Sequence, residues 1–556
     1  MKKATAIPKK RIILFSILIF FIVVITGSIW YWNTHKKAIL RHKMETAVRE
    51  KSGGLYKIKY GKLEMDEIAG SLSVADMNLI YDSARYIELE KLGTAPSILM
   101  SIVIPEINVS GVQTARVLID NEIVGRKLEI KNPVVNIIYT NPGKDSLPDT
   151  PPKKIFEQVL GNLNLIQADT ILISGAQITT RSHGIKKTSV RILDVSMKMV
   201  DVKVDSAGNA DTTRMLFAKE ISITCGKLVW TSANKFYNYI VDSISINSIS
   251  NQLGVKSFRV APELDEDAFV RAIPLQDYRY DFLFNNIRMQ NISITQLFEE
   301  NIYADSVLIG AASLKIYCDV TVQSDKTNRI ENYPLHVIDA IPLPIRVGKI
   351  ILSDGFVEYK ERSRITRQSG KVQFYSIYAS ISNITNDKNI IAVNKVMTAE
   401  VNSRFLNRTP LNVTWLFYLL NPKGRFDVTG FLGAMDATLI NPLTVSMGST
   451  RINKGMLNRL EFNLQGNDQG MDGRVKMLYD DLNISMLEKD KGAKELDKKT
   501  FQSLLANFLI INSNPRKNKE VRIAQVHFDR KINNSIFYIS WKAIFKGMRE
   551  TVGINQ

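Results

Sequence analysis

The chain of 556 residues contains few of the residue types that carry most enzymatic and metal chemistry. It has two cysteines, Cys225 and Cys318, and five histidines, which are scattered along the chain. No CxxC pair, glycine-rich phosphate-binding motif, HExxH zinc motif or GxSxG nucleophile motif is present. A disulfide-built scaffold is therefore excluded, although the two cysteines could still pair or remain as separate buried thiols. We expect a protein that is not an enzyme and needs no cofactor.

Helical periodicity is also scarce, whereas period-two alternation dominates from about Leu55 onward. In EISITCGKLVW (220–230) the apolar residues Ile221, Ile223 and Cys225 alternate with Ser222 and Thr224. Such alternation indicates strands with one apolar face, and many of them in succession predict a long antiparallel sheet. Short helices are predicted only at residues 153–166, 294–302, 411–422 and 499–512 and near the C-terminus.

One short phrase recurs at irregular intervals. It reads ADTILI at 168–173, VDSISI at 241–246 and ADSVLI at 304–309. Asp followed by Ser or Thr is typical of a turn, so each phrase is interpreted as a polar transition between two strands. The repetition predicts a unit of several strands that is added again with varied length. The apolar residues after each Asp are expected to share one interior: Ile171, Ile173, Ile244, Ile246, Val307 and Ile309.

A sheet of this length must bury its apolar face, yet few helices are available to cover it. It can close into sandwiches or barrels, or curl into an open groove that a ligand fills. A groove of this kind needs a ligand with long apolar parts, and lipid acyl chains fit that requirement. The six residues above are therefore predicted to line a lipid groove.

The first 40 residues contain a long uncharged run. Residues Ile12–Trp32 are long enough to cross a bilayer, and aromatic residues lie at the far end. We interpret residues 1–11 as a basic cytoplasmic tail and 12–32 as a transmembrane signal anchor. Cleavage after the run is the alternative. The basic residues before the span favour a cytoplasmic tail, and those after it favour the opposite orientation.

The formal net charge of +18 is concentrated at the two ends of the chain. Residues 1–50 carry +8 and residues 515–556 carry +6, so the body is nearly neutral. This distribution argues against a nucleic-acid partner and fits an anionic membrane surface. On a C-terminal helix, a membrane-facing surface is predicted from Phe537, Trp541, Lys542, Phe545, Lys546 and Arg549. The alternative is a helix that packs on its own sheet.

Two stretches of the last third carry a family resemblance. Residues 345–386 contain GKIIL, GFVEY and a strand ending ISNIT, and residues 430–488 contain GAMDA, Asn441-Pro442 and GRVKMLYDDL. These stretches resemble the C-terminal region of AsmA-like and TamB-like envelope proteins. The resemblance implies a bacterial inner-membrane protein with a single span, the bulk of the chain in the periplasm, and a curled β-groove that carries phospholipid between membranes.

The resemblance also suggests a domain division and partners. We expect β-groove repeats over residues 33–344, an AsmA-like β region over 345–500 and a basic amphipathic segment over 501–556. The implied partners are an acyl-chain lipid, the inner membrane and an outer-membrane or other envelope protein. Two alternatives remain, namely a scaffold for the assembly of outer-membrane proteins and a structural surface β-protein.

Overall fold

The fold is described from a computed structural model. The described residues are 48–49, 52–66, 69–96, 98–113, 122–140, 164–182, 189–211, 213–298, 301–324, 328–329, 333–364, 366–448, 450–486, 511–531 and 533–554. Within them the protein is mainly β, which confirms the predicted class. The chain forms two compact units. Among the described residues, the N-terminal unit comprises 48–258 and 291–298, and the C-terminal unit comprises 259–290 and 301–554.

The strands and helices alternate unevenly along the chain. The strands are β1 Tyr56–Lys59, β2 Leu63–Asp66, β3 Ser71–Tyr81, β4 Ile98–Ser110, β5 Glu122–Lys131, β6 Val134–Tyr139, β7 Leu165–Ser182, β8 Ser189–Val204, β9 Ala218–Thr231, β10 Tyr237–Asn247, β11 Gln252–Pro262, β12 Tyr278–Gln290, β13 Ile302–Asp319, β14 Ile345–Leu352, β15 Gly355–Arg362, β16 Ser369–Thr385, β17 Val396–Phe405, β18 Thr409–Tyr418, β19 Phe426–Leu432, β20 Met435–Asp436, β21 Thr450–Gly466, β22 Gly470–Met486 and β23 Ile523–Asp529. The helices are α1 Ser83–Lys91, α2 Ser206–Ala210, α3 Glu266–Ala272, α4 Ile294–Phe298, α5 Pro334–Asp339, α6 Lys388–Val393, α7 Asn441–Gly448 and α8 Ile536–Thr551, with a 3-10 turn at Ala437–Ile440.

In the N-terminal unit, β3 pairs in antiparallel fashion with β1, β2 and β4. Strand β4 pairs with β5 along one half of its length and with β6 along the other. Strands β5 and β6 then pair in parallel with β7, and β7, β8, β9 and β10 continue as an antiparallel series.

The C-terminal unit contains a related arrangement. Strand β13 is antiparallel to β12 and parallel to both β14 and β15, which in turn are antiparallel to β16. From β16 the sheet runs through β17, β18, β19, β21, β22 and β23 as consecutive antiparallel neighbours. The sheet is therefore mixed, and the prediction of purely antiparallel strands is wrong at four pairs.

The parallel pairs have a physical cause in the connections. A parallel neighbour requires the chain to return along the sheet, which takes a dozen or more residues. The connections from β6 to β7 and from β13 to β14 run over residues 140–164 and 320–344. The first contains several prolines, which disfavour a central strand, and the second contains α5.

Each unit has its own apolar core. In the N-terminal unit it includes Ile104 and Ile107 of β4 and Met199 of β8, all with no exposed surface. In the C-terminal unit it includes Phe426 of β19 and Leu464 of β21, also fully buried, together with Ile539 of α8. The predicted boundary between residues 344 and 345 falls inside the C-terminal unit.

The predicted short helices have mixed outcomes. Ile294–Phe298 and Ile536–Thr551 are helical, as predicted. The prediction of a helix at 411–422 is wrong, because Thr409–Tyr418 is a strand paired on both sides, with β17 and β19. Most of the helices predicted at 153–166 and 499–512 lie outside the described residues, and Leu165 already belongs to β7.

Candidate apolar binding site

The repeated Asp-Ser/Thr phrase lies within strands, so the predicted transition between strands is wrong. Asp169, Asp242 and Asp305 lie inside β7, β10 and β13. At Asp169, the residue-by-residue pairing between β7 and β8 skips one position. Ala168 pairs with Val202 and Thr170 pairs with Val200, which leaves Asp169 opposite Asp201. Each phrase therefore marks an interruption within a continuous strand.

At two of the interruptions, one of the two facing residues has a left-handed backbone. Asp201 has a φ of 51° and Ser243, which follows Asp242, has a φ of 50°. Ser243 lies opposite Gly226, where a Cβ would come within 2.9 Å of the Asp194 Cβ. Asp and Asn adopt left-handed geometry more readily than most residues, and glycine leaves room for the neighbouring backbone. The first left-handed residue, Asp201, lies on the partner strand β8, whereas the second, Ser243, belongs to the phrase itself.

The kink changes which residues face the core. On β7, Ile166 is buried before the phrase, whereas Ile171 and Ile173 are buried after it. On β8, Val202 and Met199 are buried on either side of Asp201 in the same way. In a regular strand a shift of one residue would turn the apolar side chains outward. On β7 the two polar residues Asp169 and Thr170 separate the two sets of buried residues, so the apolar side chains on either side of them stay on one face.

A small apolar pocket, partly open to solvent, lies beside this kink in the N-terminal unit. Its walls come from β3, β4, β5, β7, β8 and the turn before β9. The lining residues are Leu72, Val109, Val112, Ile123, Gly125, Lys127, Leu128, Ile166, Gln167, Ala168, Ile171, Val202, Val204, Leu216 and Phe217.

Polar contributions to this pocket are few. Among its lining residues, Lys127 is the one charged residue and Gln167 the one polar amide. The Lys127 side chain is 43% exposed, and its Nζ lies 3.5 Å from Glu129 Oε1. A lysine stem can cover apolar surface while its ammonium group stays in water. The lining of the pocket is therefore almost entirely apolar, with one cation at its rim.

A buried arginine holds the wall of the pocket beside the kink. The Arg214 side chain is 8% exposed, its Nη2 donates to Asp201 Oδ2 at 3.1 Å, and its Nε lies 3.3 Å from Asp211 Oδ2. The hydrogen bond from Lys219 and then the Arg214 contacts lower the pKa of Asp201. Because Arg214 precedes Leu216 by two residues, this guanidinium connects the β8 kink to the turn that lines the pocket.

The six predicted groove residues lie in different parts of the structure. Ile171 lines the pocket, Ile173 belongs to the same core, and Ile244 packs against that core while half-buried. Ile246 is half-buried and pairs with Ile223. Val307 and Ile309 are half-buried on β13 of the C-terminal unit, paired with Met289 and Ile287. The pocket residues Val202, Val204 and Phe217 were not predicted.

Helix α8 packs on its own sheet and also presents aromatic residues to solvent. Its buried residues are Ile536, Ile539, Ser540, Ala543, Gly547 and Thr551, and it packs mainly on β22 and β23. The predicted membrane-facing residues lie off that face. The centre of the Phe537 ring lies 5.7 Å from that of the Trp415 ring of β18. Phe537 is 70% exposed and Trp541 is 36% exposed. Phe545 stacks on Trp541 with ring centroids 5.9 Å apart.

The basic residues of α8 are partly engaged within the C-terminal unit. Lys542 Nζ lies 5.3 Å from the Tyr538 ring centre, and Lys546 Nζ donates to the His527 carbonyl at 2.8 Å. Arg549 lies in the last turn, where a cation favours the helix dipole. Packing on the sheet and an exposed aromatic surface therefore coexist on different faces of this helix.

Burial raises the pKa values of several titratable groups in the interior of the C-terminal unit. Both cysteines are free and buried, so the predicted alternative of a disulfide does not hold. Burial raises the pKa of the Cys318 thiol to about 12, which keeps it protonated and unreactive at neutral pH. Burial also raises the pKa of Glu361, whose Oε2 accepts a hydrogen bond from the Tyr359 hydroxyl at 2.6 Å.

Three further findings bear on function. Across the described residues, no group of three or more His, Cys, Asp or Glu side chains is placed to hold a metal ion. No helix in that part of the chain is long and apolar enough to cross a membrane. The predicted span Ile12–Trp32 lies outside the described residues. Comparison with protein-family models found no match, and a search of curated proteins found none either.

Proposed function

We propose that this protein is a membrane-anchored, non-enzymatic envelope protein that binds lipid acyl chains on the apolar side of its sheet. The observation that carries the proposal is the apolar pocket beside the β7–β8 kink, which has thirteen lining residues besides Lys127 and Gln167. Apolar surface left open to water is unfavourable by about 25 cal/mol per Å², so an occupant of the same character stabilises it.

The sequence adds the cellular context to this proposal. The run Ile12–Trp32 anchors the chain in the bacterial inner membrane, and the body lies in the periplasm. The resemblance to AsmA-like and TamB-like proteins supports movement of phospholipid toward the outer membrane, with an envelope protein as partner. The exposed Phe537 and Trp541, on a helix with Lys542, suit contact with an anionic membrane surface.

The first test is direct identification of bound lipid. Full-length protein is purified without added lipid, and the organic extract is analysed by mass spectrometry. We expect acyl-chain lipid in proportion to protein. A protein that is free of lipid after extraction in mild detergent contradicts the proposal and favours the scaffold alternative.

The second test asks whether lipid moves along the apolar face. A phospholipid with a photoreactive acyl chain is crosslinked to wild type and to variants at Ile309, which is half-buried. Ile309→Ala removes only weak contacts and should change crosslinking little. Ile309→Asp places a carboxylate against hydrocarbon, which is unfavourable by several kcal/mol when unpaired, and should block passage. The same applies to Ile246→Asp. Unchanged crosslinking in both Asp variants contradicts conduction.

A further inference from the structure

The turn that closes the pocket carries an unusual pair of residues. Met215 and Ala218 exchange both backbone hydrogen bonds, at 2.8 and 2.9 Å, so Leu216 and Phe217 form a two-residue loop. Their φ values are 45° and 69°. Positive φ at both central positions defines a type I′ turn, which strongly favours Asn-Gly and similar pairs. A leucine and a phenylalanine here are therefore in a disfavoured conformation.

Large apolar residues in this strained conformation are few, and two of them lie at the pocket. Among the described residues, three large apolar side chains have positive φ, namely Leu216, Phe217 and Leu406. Two of them are adjacent, and both line the pocket. Strained backbone persists where the surrounding structure holds it, and it concentrates at ligand-binding positions.

Several contacts fix the turn in this geometry. Lys203 N–H donates to the Phe217 carbonyl at 2.8 Å, and Arg214 Nη1 reaches the same oxygen at 3.4 Å. The guanidinium also bonds Asp201 at the kink of β8. Both turn side chains are half-buried against the core of the N-terminal unit. The turn is thus anchored from behind while its side chains face the pocket.

We propose that Leu216 and Phe217 are ligand-contacting residues, retained in a disfavoured turn because they form the wall against which an acyl chain packs. This inference rests on the proposed function, since it names residues of the same pocket. The pair contributes to ligand affinity but adds nothing net to the free energy of unfolding. Replacing both residues would remove half-buried apolar surface, which destabilises the fold, and would relieve the disfavoured turn, which stabilises it by a similar amount.

The test replaces the pair with the residues that the turn favours. The variant Leu216→Asn/Phe217→Gly is compared with wild type as full-length protein in amphipol. Binding is followed by the fluorescence of cis-parinaric acid and of a phosphatidylcholine carrying the same chain, so a free fatty acid and a phospholipid are distinguished. Leu406→Asn is the matched control, because Leu406 has a φ of 51° and is half-buried but lies outside the pocket.

The expected result is a melting temperature at or above that of wild type, with at least a fivefold loss of affinity for whichever probe wild type binds. Leu406→Asn should keep wild-type affinity. A lower melting temperature for the double variant, or a loss of affinity below fivefold, overturns the inference about the turn and leaves the pocket as a binding site. Failure of wild type to bind either probe overturns the proposed function together with this inference.

Discussion

A larger side chain in place of Gly125 should fill part of the pocket. A Cβ built at this position meets only the Ser110 carbonyl oxygen within 4 Å, at 3.8 Å. Gly125 lines the pocket, and it is not among the residues with positive φ. A side chain at this position can therefore extend into free space without a change in the backbone. We expect the series Gly125→Ala, Gly125→Val and Gly125→Leu to be tolerated.

The series should raise stability while it lowers lipid binding. Each buried methylene contributes about 0.8 kcal/mol, so a valine in a partly open pocket should add roughly 1 kcal/mol to the free energy of unfolding. Replacing glycine within a strand adds a further contribution of the same sign. The melting temperature should rise by about 2–4 °C per kcal/mol for a unit of this size.

The same side chains displace part of the ligand. A leucine that excludes two or three methylenes of an acyl chain should weaken binding by about 2 kcal/mol, which is roughly 30-fold. The assays are thermal unfolding and lipid content per protein by mass spectrometry, and the order Ala, Val, Leu provides an internal control. A fall in stability along the series, or unchanged lipid content as stability rises, would refute the assignment of this pocket.

Three other predictions test separate parts of the structure. Gly547→Ala should speed amide exchange in α8, because its methyl would lie 2.5 Å from the Val475 Cβ. The overpacking destabilises by about 1–3 kcal/mol, which exceeds the gain of roughly 1 kcal/mol in helix propensity. Slower exchange would contradict the packing. The pKa of Asp201 is lowered in the folded protein, so its contacts stabilise the fold above the unfolded pKa of about 3.9 and this stabilisation is lost as the pH falls. Between pH 5 and 3 the melting temperature of wild type should therefore fall more steeply than that of Asp201→Asn. Equal slopes would exclude this role. If Ile12–Trp32 is an uncleaved anchor, protease added to spheroplasts should remove the body and spare residues 1–11, whereas a mature chain starting after Trp32 would show cleavage.

Alternation in the sequence predicted most of the strands because one face of each strand is buried. The run EISITCGKLVW lies in β9 and SLKIYCD lies in β13, with Cys225 and Cys318 buried. The prediction of a helix failed at LNVTWLFYLL, where residues 411–415 alternate but residues 415–420 are all apolar or aromatic. Thr409–Tyr418 is a strand because its neighbours along the chain, β17 and β19, pair with it on both sides.

The kinks could not be distinguished from turns by local chemistry. Asp and Ser at positive φ are what a turn requires, and they are also what a strand requires where its ladder skips a residue. The difference lies in the partner strand, for example in Gly226 opposite Ser243. Leu216 and Phe217 were missed for the opposite reason, because their residue types argue against the turn they form.

The kink at Asp201, the Arg214 side chain that contacts it and the pocket wall of the N-terminal unit are parts of one arrangement. Asp201 accepts the left-handed conformation that moves the core-facing residues of β8 from Val202 to Met199. Its carboxylate also accepts a hydrogen bond from Arg214, which is buried two residues before Leu216. A polar residue at this position is therefore required both by the backbone and by the guanidinium. The ADTILI phrase at 168–173 interrupts the alternation of β7. It lies beside the pocket, where the small residues Gly125 and Ala168 leave apolar space unfilled. The Arg214–Asp201 pair therefore fixes both the kink of β8 and the turn that lines the proposed binding site.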